Sequence, residues 1–349
     1  MIFSKTLMSW YKINSRSLPW RATKDPYKIW LSEIILQQTK IKQGLPYYKK
    51  FIKSFPTIFD LARSKEENIY KMWQGLGYYS RAQNLHLTAN RIVNEYNGTF
   101  PNSHDELKGL RGIGDYTASA IASICFDIPE AVVDGNVFRF LSRFYGIKTP
   151  IDSKKGFDTF KIKANKLMKG HSPGDFNQAL MDFGSICCKP LSPSCKNCVF
   201  SKKCYAHKNK KVEFYPIKKG KIKIKTRFFN YLVFNNSKNQ TVLEQITSKG
   251  IWYKLYQFPM IESKKILKEP TGEFQEIINK YSKETPSSIN SIFKNPIEHK
   301  LSHQKLIIQF WRVRLSDNSI LPLEKENAFK FPVPVVIEKF MVQFYKTLT

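Results

Sequence analysis

Up to about Gly184 the apolar side chains recur at spacings of three and four, the period of amphipathic helices, with helix punctuation between segments. Asp25-Pro26 supplies an N-cap and a first-turn proline, opening a helix with Ile29, Trp30, Ile34 and Ile41 on one side and Glu33 and Gln37 on another. Ser103-His104-Asp105-Glu106 is a capping box for a short helix ending at Gly109, and a second helix is expected from near Asp115. Between them lies the glycine hairpin Leu110-Arg111-Gly112-Ile113-Gly114. Asp134 is placed to begin another helix, and Asp175 starts one over Phe176–Phe183 with Gly184 placed to stop it. The pattern then changes. Lys208 to Arg227 is a lysine run with Pro216 and Gly220 and little apolar periodicity. Phe228–Phe234, Thr241–Ile246 and Lys305–Leu315 read as strands rich in β-branched and aromatic residues, and Phe274–Lys283 and Val336–Tyr345 as helices. The expected architecture is multidomain: an all-α domain over 1–207, a basic linker over 208–227 and an α+β domain over 228–349.

Composition narrows the partner. Lys plus Arg is 57 against 28 Asp plus Glu, a formal charge of +29, more than solubility requires and suited to a polyanion. The bland alternative is a lysine-rich surface with no such partner. With 349 residues, two domains can each bury a core, and the 42% hydrophobic fraction excludes a disordered chain. No basic segment precedes an apolar one at the N-terminus and no stretch reaches ~18 apolar residues, so a cytoplasmic protein without a membrane span is expected.

Six cysteines are present, five of them between Cys187 and Cys204. In a reducing compartment such crowding reads as a metal site. Cys188-x6-Cys195-x2-Cys198-x5-Cys204 suits either zinc or a [4Fe–4S] cluster, and spacing alone does not choose. Cys187 and Cys125 are out of register and read as core residues. The two hairpin glycines can turn the chain tightly and present N–H groups at a helix N-terminus, a nest for a phosphate or simply a turn. Asp134, twenty residues past Gly114, is either an ordinary N-cap or the carboxylate of a site.

The cysteine loop, the hairpin and Val133-Asp134-Gly135-Asn136-Val137 together resemble the endonuclease III and MutY branch of the helix-hairpin-helix glycosylases. Position 116 separates the branches, because bifunctional members carry a lysine there that forms a Schiff base, and Tyr116 cannot. Leu18-Pro19-Trp20-Arg21, Ser32-Glu33-Ile34-Ile35-Leu36-Gln37-Gln38-Thr39 and Gly75-Leu76-Gly77-Tyr78-Tyr79-Ser80-Arg81 match the MutY type, and the chain is identified as similar to MutY-type adenine DNA glycosylases.

The resemblance implies a central helical lobe over 27–130 and a second lobe of 1–26 with 131–207, the latter holding a [4Fe–4S] cluster on Cys188, Cys195, Cys198 and Cys204. It implies backbone contact to DNA at Gly112 and Gly114. Glu33 is implied as the acid that protonates adenine and then the base that activates water, Asp134 as the stabiliser of the cationic sugar, and Tyr116 and Asn136 as orienting groups. Arg16 and Arg21 are expected at the extruded adenine or its nearby backbone, and Gln38 and Tyr78 beside the facing 8-oxoguanine. Phe138 departs from the family, where lysine is common. The second domain resembles the family's nudix-like module: Gly250-Ile251-Trp252 and Gln257-Phe258-Pro259 match its early strands, and His299-Lys300-Leu301-Ser302-His303 the loop in which Ser302 and His303 meet 8-oxoguanine. Leu301 stands where phenylalanine is common. No glutamate-rich metal box is found, so the module is expected to read a base rather than hydrolyse a nucleotide.

The implied activity is monofunctional: hydrolysis of the adenine N-glycosidic bond in duplex DNA bearing A opposite 8-oxoguanine or G, by two carboxylates after base flipping, by a monomer of base excision repair. An endonuclease III-like lyase is opposed by Tyr116 and the second domain. A zinc-ribbon DNA-binding module, with Glu33 and Asp134 merely structural, is the non-enzymatic alternative. Deleting the chain from about Lys225 onward is expected to leave the helical part folded.

Overall fold

Capping residues and prolines set the helices of the computed structural model, which describes residues 2–220, 224–283, 285–315 and 319–346. The middle of the expected linker, 221–223, lies outside the described residues. In chain order the helices are α1 (Ile2–Asn14), α2 (Pro26–Leu36), α3 (Ile41–Ser54), α4 (Ile58–Arg63), α5 (Glu66–Trp73), α6 (Ser80–Tyr96), α7 (His104–Lys108), α8 (Asp115–Cys125), α9 (Gly135–Tyr145), α10 (Lys154–Met168), α11 (Pro173–Ile186) and α12 (Tyr205–Lys208). The second half adds α13 (Gly272–Asn279), α14 (Lys325–Ala328) and α15 (Val335–Lys346). The chain divides into two compact units, Met1–Arg63 with Asn84–Gly220, and Ser64–Gln83 with Lys221–Thr349, so the first unit is interrupted by α5 and the loop after it.

In the first unit Asp25 caps α2 by accepting from Tyr27 N at 2.9 Å. The helix is almost wholly interior, with Ile29, Trp30, Leu31, Ile34 and Ile35 buried. It ends at Leu36, and Gln38 then takes a left-handed conformation (φ 53). Ile41 therefore opens α3 instead of extending α2, a correction to the periodicity, which ran on through the break. Phe3, Leu7 and Trp10 of α1 pack against Phe140 of α9, Phe160 of α10 and Phe176 and Phe183 of α11. Phe138 joins this core edge-on to Phe160 at 5.1 Å, the packing that an apolar ring permits at that position. Gly184 does not stop α11, which continues to Ile186. A Cβ there would lie 2.7 Å from the Asn136 backbone, so the glycine permits close approach of α9. The lysine run is tied to this unit as far as Gly220: Tyr215 is buried, Ile217 O accepts from Ile151 N at 3.0 Å and Asp152 accepts from Lys219 N.

The strands are β1 (Lys225–Asn235), β2 (Gln240–Thr241), β3 (Glu244–Gln245), β4 (Tyr256–Gln257), β5 (Met260–Ser263), β6 (Ser288–Ser291), β7 (Ile297–Lys300), β8 (Gln304–Arg314) and β9 (Leu323–Glu324). The main sheet runs β5-β1-β8-β6, with β1 and β8 parallel and β7 paired antiparallel to β8. Alternation on β1 feeds two cores: Phe229, Tyr231 and Val233 face Ile337 and Phe340 of α15, while Leu232 and Phe234 face Phe274 and Ile278 of α13. The three expected strands survive unequally. Phe228–Phe234 lies inside β1 and all but Leu315 of Lys305–Leu315 inside β8, but Thr241–Ile246 yields only two-residue pieces. Gly250-Ile251-Trp252 forms turns rather than an early strand, because Trp252 and Lys254 are left-handed (φ 64 and 66). Segment 64–83 is anchored in this unit: Lys254 Nζ pairs with Glu66 at 2.6 Å, Lys71 Nζ donates to Phe329 O at 2.5 Å, and Tyr79 Oη donates to Val333 O at 3.3 Å.

Candidate functional site

Four polar residues singled out in the sequence come together in the first unit around one cavity of about 830 Å³: Glu33, Tyr116, Asp134 and Asn136, with Arg16, Arg21, Gln38 and Gly114 also on its walls. Glu33 projects from the middle of α2 and is only 8% exposed. Burial raises its carboxyl to about 7, against a hydrogen bond from Tyr116 and the charge of Arg21, and with help from the charge of Asp134. Tyr116 sits in the first turn of α8, which Gln37 ties to α2 through Nε2 to Thr117 Oγ1 at 3.3 Å. Its phenol is pushed well above 10 by burial and by Glu33 and Asp134, so it remains a proton donor.

Asp134 is both an N-cap and a wall of the cavity. Its Oδ1 accepts from Asn136 N and Val137 N at 2.8 Å each, and Oδ2 accepts from Asn136 Nδ2 at 2.6 Å. Burial lifts its pKa, and these hydrogen bonds with the Arg139 charge oppose the rise. Asp134 thus caps α9 and lines the cavity with one side chain.

Three partners were invisible in the sequence. Asp182 of α11, 0% exposed at its side chain, accepts both guanidinium groups: Arg21 Nη1 and Nη2 reach it at 2.7 and 2.8 Å, and Arg16 Nε at 2.8 Å. Burial opposes its ionisation, but the two arginines hold it below the ordinary value. Arg139 donates to Asn136 Oδ1 at 2.9 Å, to Gly184 O and to Cys188 O at 2.7 Å, joining the Asp134 cap to the first residue of the cysteine loop. Arg143 donates to Lys189 O at 2.7 Å and Pro190 O at 3.1 Å in that same loop. Apart from the local Arg139–Asn136 bond these partners lie 45 to 166 residues apart, beyond any spacing rule, and only the packing of distant segments brings them together.

Cys188, Cys195, Cys198 and Cys204 line a single small cavity floored by Phe140, Phe183 and Phe200. Cys187 also lines it. Among the described residues no three His, Cys, Asp or Glu are set to close on one metal ion.

In the hairpin, Gly112 is left-handed (φ 78), and a Cβ on it would meet Asn84 at 2.7 Å, whereas Gly114, the N-cap of α8, faces open space.

The second unit has its own cavity, about 540 Å³, walled by Gly75–Gln83, Lys249–Tyr253 and His299–Gln304. Ser302 and His303 are the exposed tip of the β7–β8 hairpin, closed by Leu301 N donating to Gln304 O at 2.8 Å. The Tyr78 hydroxyl hydrogen-bonds Ser302 Oγ. Tyr78 is left-handed (φ 49) and 43% exposed, and its loop is held by Trp73 Nε1 and Arg81 Nη2 donating to Gly77 O at 3.1 and 3.0 Å. A non-glycine residue held at positive φ costs of order 1–2 kcal/mol and marks a position fixed by its surroundings.

An interior carboxylic acid and a second carboxylate thus share one cavity, with the α7–hairpin–α8 unit beside it. Residues 31–162 match the model of the HhH-GPD superfamily of base excision DNA repair proteins, and 230–343 that of the NUDIX domain. The chain belongs to the adenine DNA glycosylases: it is 40% identical over 264 residues to one from Buchnera aphidicola subsp. Schizaphis graminum, covering 75% of this chain and 76% of the relative. It is 36% identical to that of the Acyrthosiphon pisum subspecies, with 99% of each covered, and 38% identical over 213 residues to the human one, covering 58% of this chain and 39% of the relative. A thermostable thymine-DNA glycosylase superposes at a TM-score of 0.56 with 30% identity over 60% of this chain and 96% of that one. Endonuclease III in a non-covalent DNA complex shares the fold, at a TM-score of 0.52 and 21% identity over 58% and 94% of the respective chains.

Proposed function

We propose that this glycosylase hydrolyses the N-glycosidic bond of adenine in duplex DNA where adenine faces 8-oxoguanine or guanine, and that it is monofunctional. The observation that carries the reading is Glu33: a buried carboxyl at about 7, on a cavity shared with Asp134. An acid with that pKa can donate near neutrality and return as a base. Glu33 protonates the flipped adenine, which makes it a better leaving group, and Asp134 stabilises the cationic sugar left behind. Tyr116 lines the cavity with the Glu33 carboxyl, its hydroxyl donating to Met181 Sδ at 3.4 Å, and Asn136 orients Asp134. Water activated by the Glu33 carboxylate then completes the hydrolysis. Arg21 and Arg16, held by the single carboxylate of Asp182, present ordered guanidinium edges at the cavity wall for the extruded base or its backbone. Gly112 and Gly114 take a DNA phosphate, with Gly114 open on the side where it would approach.

Because Glu33 must be protonated to act as acid, the single-turnover rate is expected to fall about tenfold per unit as pH rises past about 7. A pH–rate profile on a duplex carrying A opposite 8-oxoguanine tests this, and a flat profile to pH 9 would overturn the assignment.

No amine stands at position 116, so nicking of the product strand should require added alkali. Borohydride reduction during turnover should leave no protein–DNA cross-link, and efficient cross-linking would sink the monofunctional claim.

The four thiols fit an iron–sulfur cluster: all donors are sulfur and they line one cavity. Cys188, Cys195, Cys198 and Cys204 would hold it. When bound, the cluster supplies a structural cross-link for the cysteine loop, which Arg139 and Arg143 attach to α9.

A further inference from the structure

Residues 126–134 join α8 to α9 without regular secondary structure and end on Asp134. Ala131, Val132 and Val133 within them are buried, so their backbone groups need partners that neither helix nor sheet provides. Two asparagine side chains supply them. Asn165 Oδ1 on α10 accepts from Ala131 N at 2.7 Å. Asn177 on α11, 0% exposed, accepts from Val132 N at 2.9 Å and donates from Nδ2 to Glu130 O at 2.8 Å. The same Nδ2 donates to Ser123 Oγ at 2.9 Å, on the helix that carries Tyr116. Glu130 is fixed at its other end too, by Lys161 at 2.9 Å. One side chain therefore clamps both the segment that delivers Asp134 and the helix that delivers Tyr116.

We propose that Asn177, seconded by Asn165, is a positioning residue of the excision site, setting Asp134 and Tyr116 against Glu33 without touching the substrate. A misplacement of about 1 Å in such a constellation is worth up to roughly a hundredfold in rate. The inference rests on the proposed role of Asp134, and the experiment separates the two.

Single-turnover excision is measured on full-length Asn177→Ala, Asn165→Ala, Ser123→Ala and Asp134→Asn, with the active fraction taken from burst amplitude and affinity from a duplex carrying a non-cleavable 2′-fluoro-adenosine opposite 8-oxoguanine. Asn177→Ala is expected to lower the rate constant per active molecule roughly tenfold to a hundredfold with affinity within about twofold. Asn165→Ala should lower it a few-fold and Ser123→Ala least. Because the Asp134 charge helps raise the Glu33 carboxyl, moving it away should also shift the alkaline limb of the pH–rate profile to lower pH. A purely structural role would cut the amplitude and leave rate constant and profile unchanged, and that result overturns the proposal. If Asn177→Ala does not fold, the partly exposed Asn165 decides: a wild-type rate constant in Asn165→Ala overturns it. Asp134→Asn at wild-type rate would refute the carboxylate reading itself, whereas an inactive Asp134→Asn beside a fully active Asn177→Ala refutes only the clamp.

Discussion

Glu33→Gln is expected to lower single-turnover adenine release by about 10²- to 10⁴-fold, the usual worth of a general acid, while binding of the mispaired duplex is retained. The amide preserves the shape on α2 and cannot give up the proton. The same change should stabilise the fold, and the sign follows from the raised carboxyl. In the unfolded chain Glu33 ionises near its ordinary 4.5, but in the folded chain near 7. Below 4.5 both states are protonated and the residue is neutral to stability; as pH rises to about 7 the unfolded state is increasingly favoured. Above 7 the buried charge costs about 3 kcal/mol, which glutamine would not incur. Denaturant unfolding at pH 5 and pH 8 should therefore show a gain for the variant that is larger at pH 8. A variant that loses activity and is also less stable at pH 8 would mean that Glu33 is a structural anchor, not a group held in strain for catalysis.

What the chain announced in advance was local. Ser103 and Asp25 cap where the sequence places them, the two hairpin glycines stand before α8, and Asp134 opens α9, because each of these depends on neighbours within a few residues. Cysteine spacing likewise reports a loop that can close on itself. Periodicity failed where an irregular backbone interrupted it: Gln38 ends α2 early, and left-handed Trp252 and Lys254 turn a stretch that composition favours as strand. The network around the two carboxylates was out of reach for another reason. Asp182, Arg139 and Asn177 are ordinary polar residues on amphipathic helices, and the segment after α1, α8 and the α8–α9 connection reach Asp182 and Asn177 only when distant parts of the chain pack. Gly184 illustrates both limits, since a glycine near a helix end reads as a stop, while here it is the gap that lets Asn136 approach.

The double variant Ser302→Ala with His303→Ala is expected to reduce the preference for adenine opposite 8-oxoguanine over adenine opposite guanine by roughly tenfold to a hundredfold, since a base-specific hydrogen-bonded contact is worth ~1–3 kcal/mol. Both residues are the exposed tip of the β7–β8 hairpin, and the Tyr78 hydroxyl already pairs with Ser302 beside a cavity large enough for a base. Deleting everything from Lys225 onward is a poorer test than the sequence suggests. It would strip Glu66, Lys71 and Tyr79 of their partners in residues 254–333. The truncated chain should lose stability as well as discrimination, so the point variants carry the argument. Single-turnover rates on both mispairs at two salt concentrations give the preference and its salt dependence together. Loss of a base contact lowers the preference at unchanged salt slope, whereas loss of a phosphate contact weakens all duplexes alike and flattens the slope. An unchanged preference in the double variant would place recognition of the damaged base outside this hairpin, with Gln38 and Tyr78 the next residues to replace.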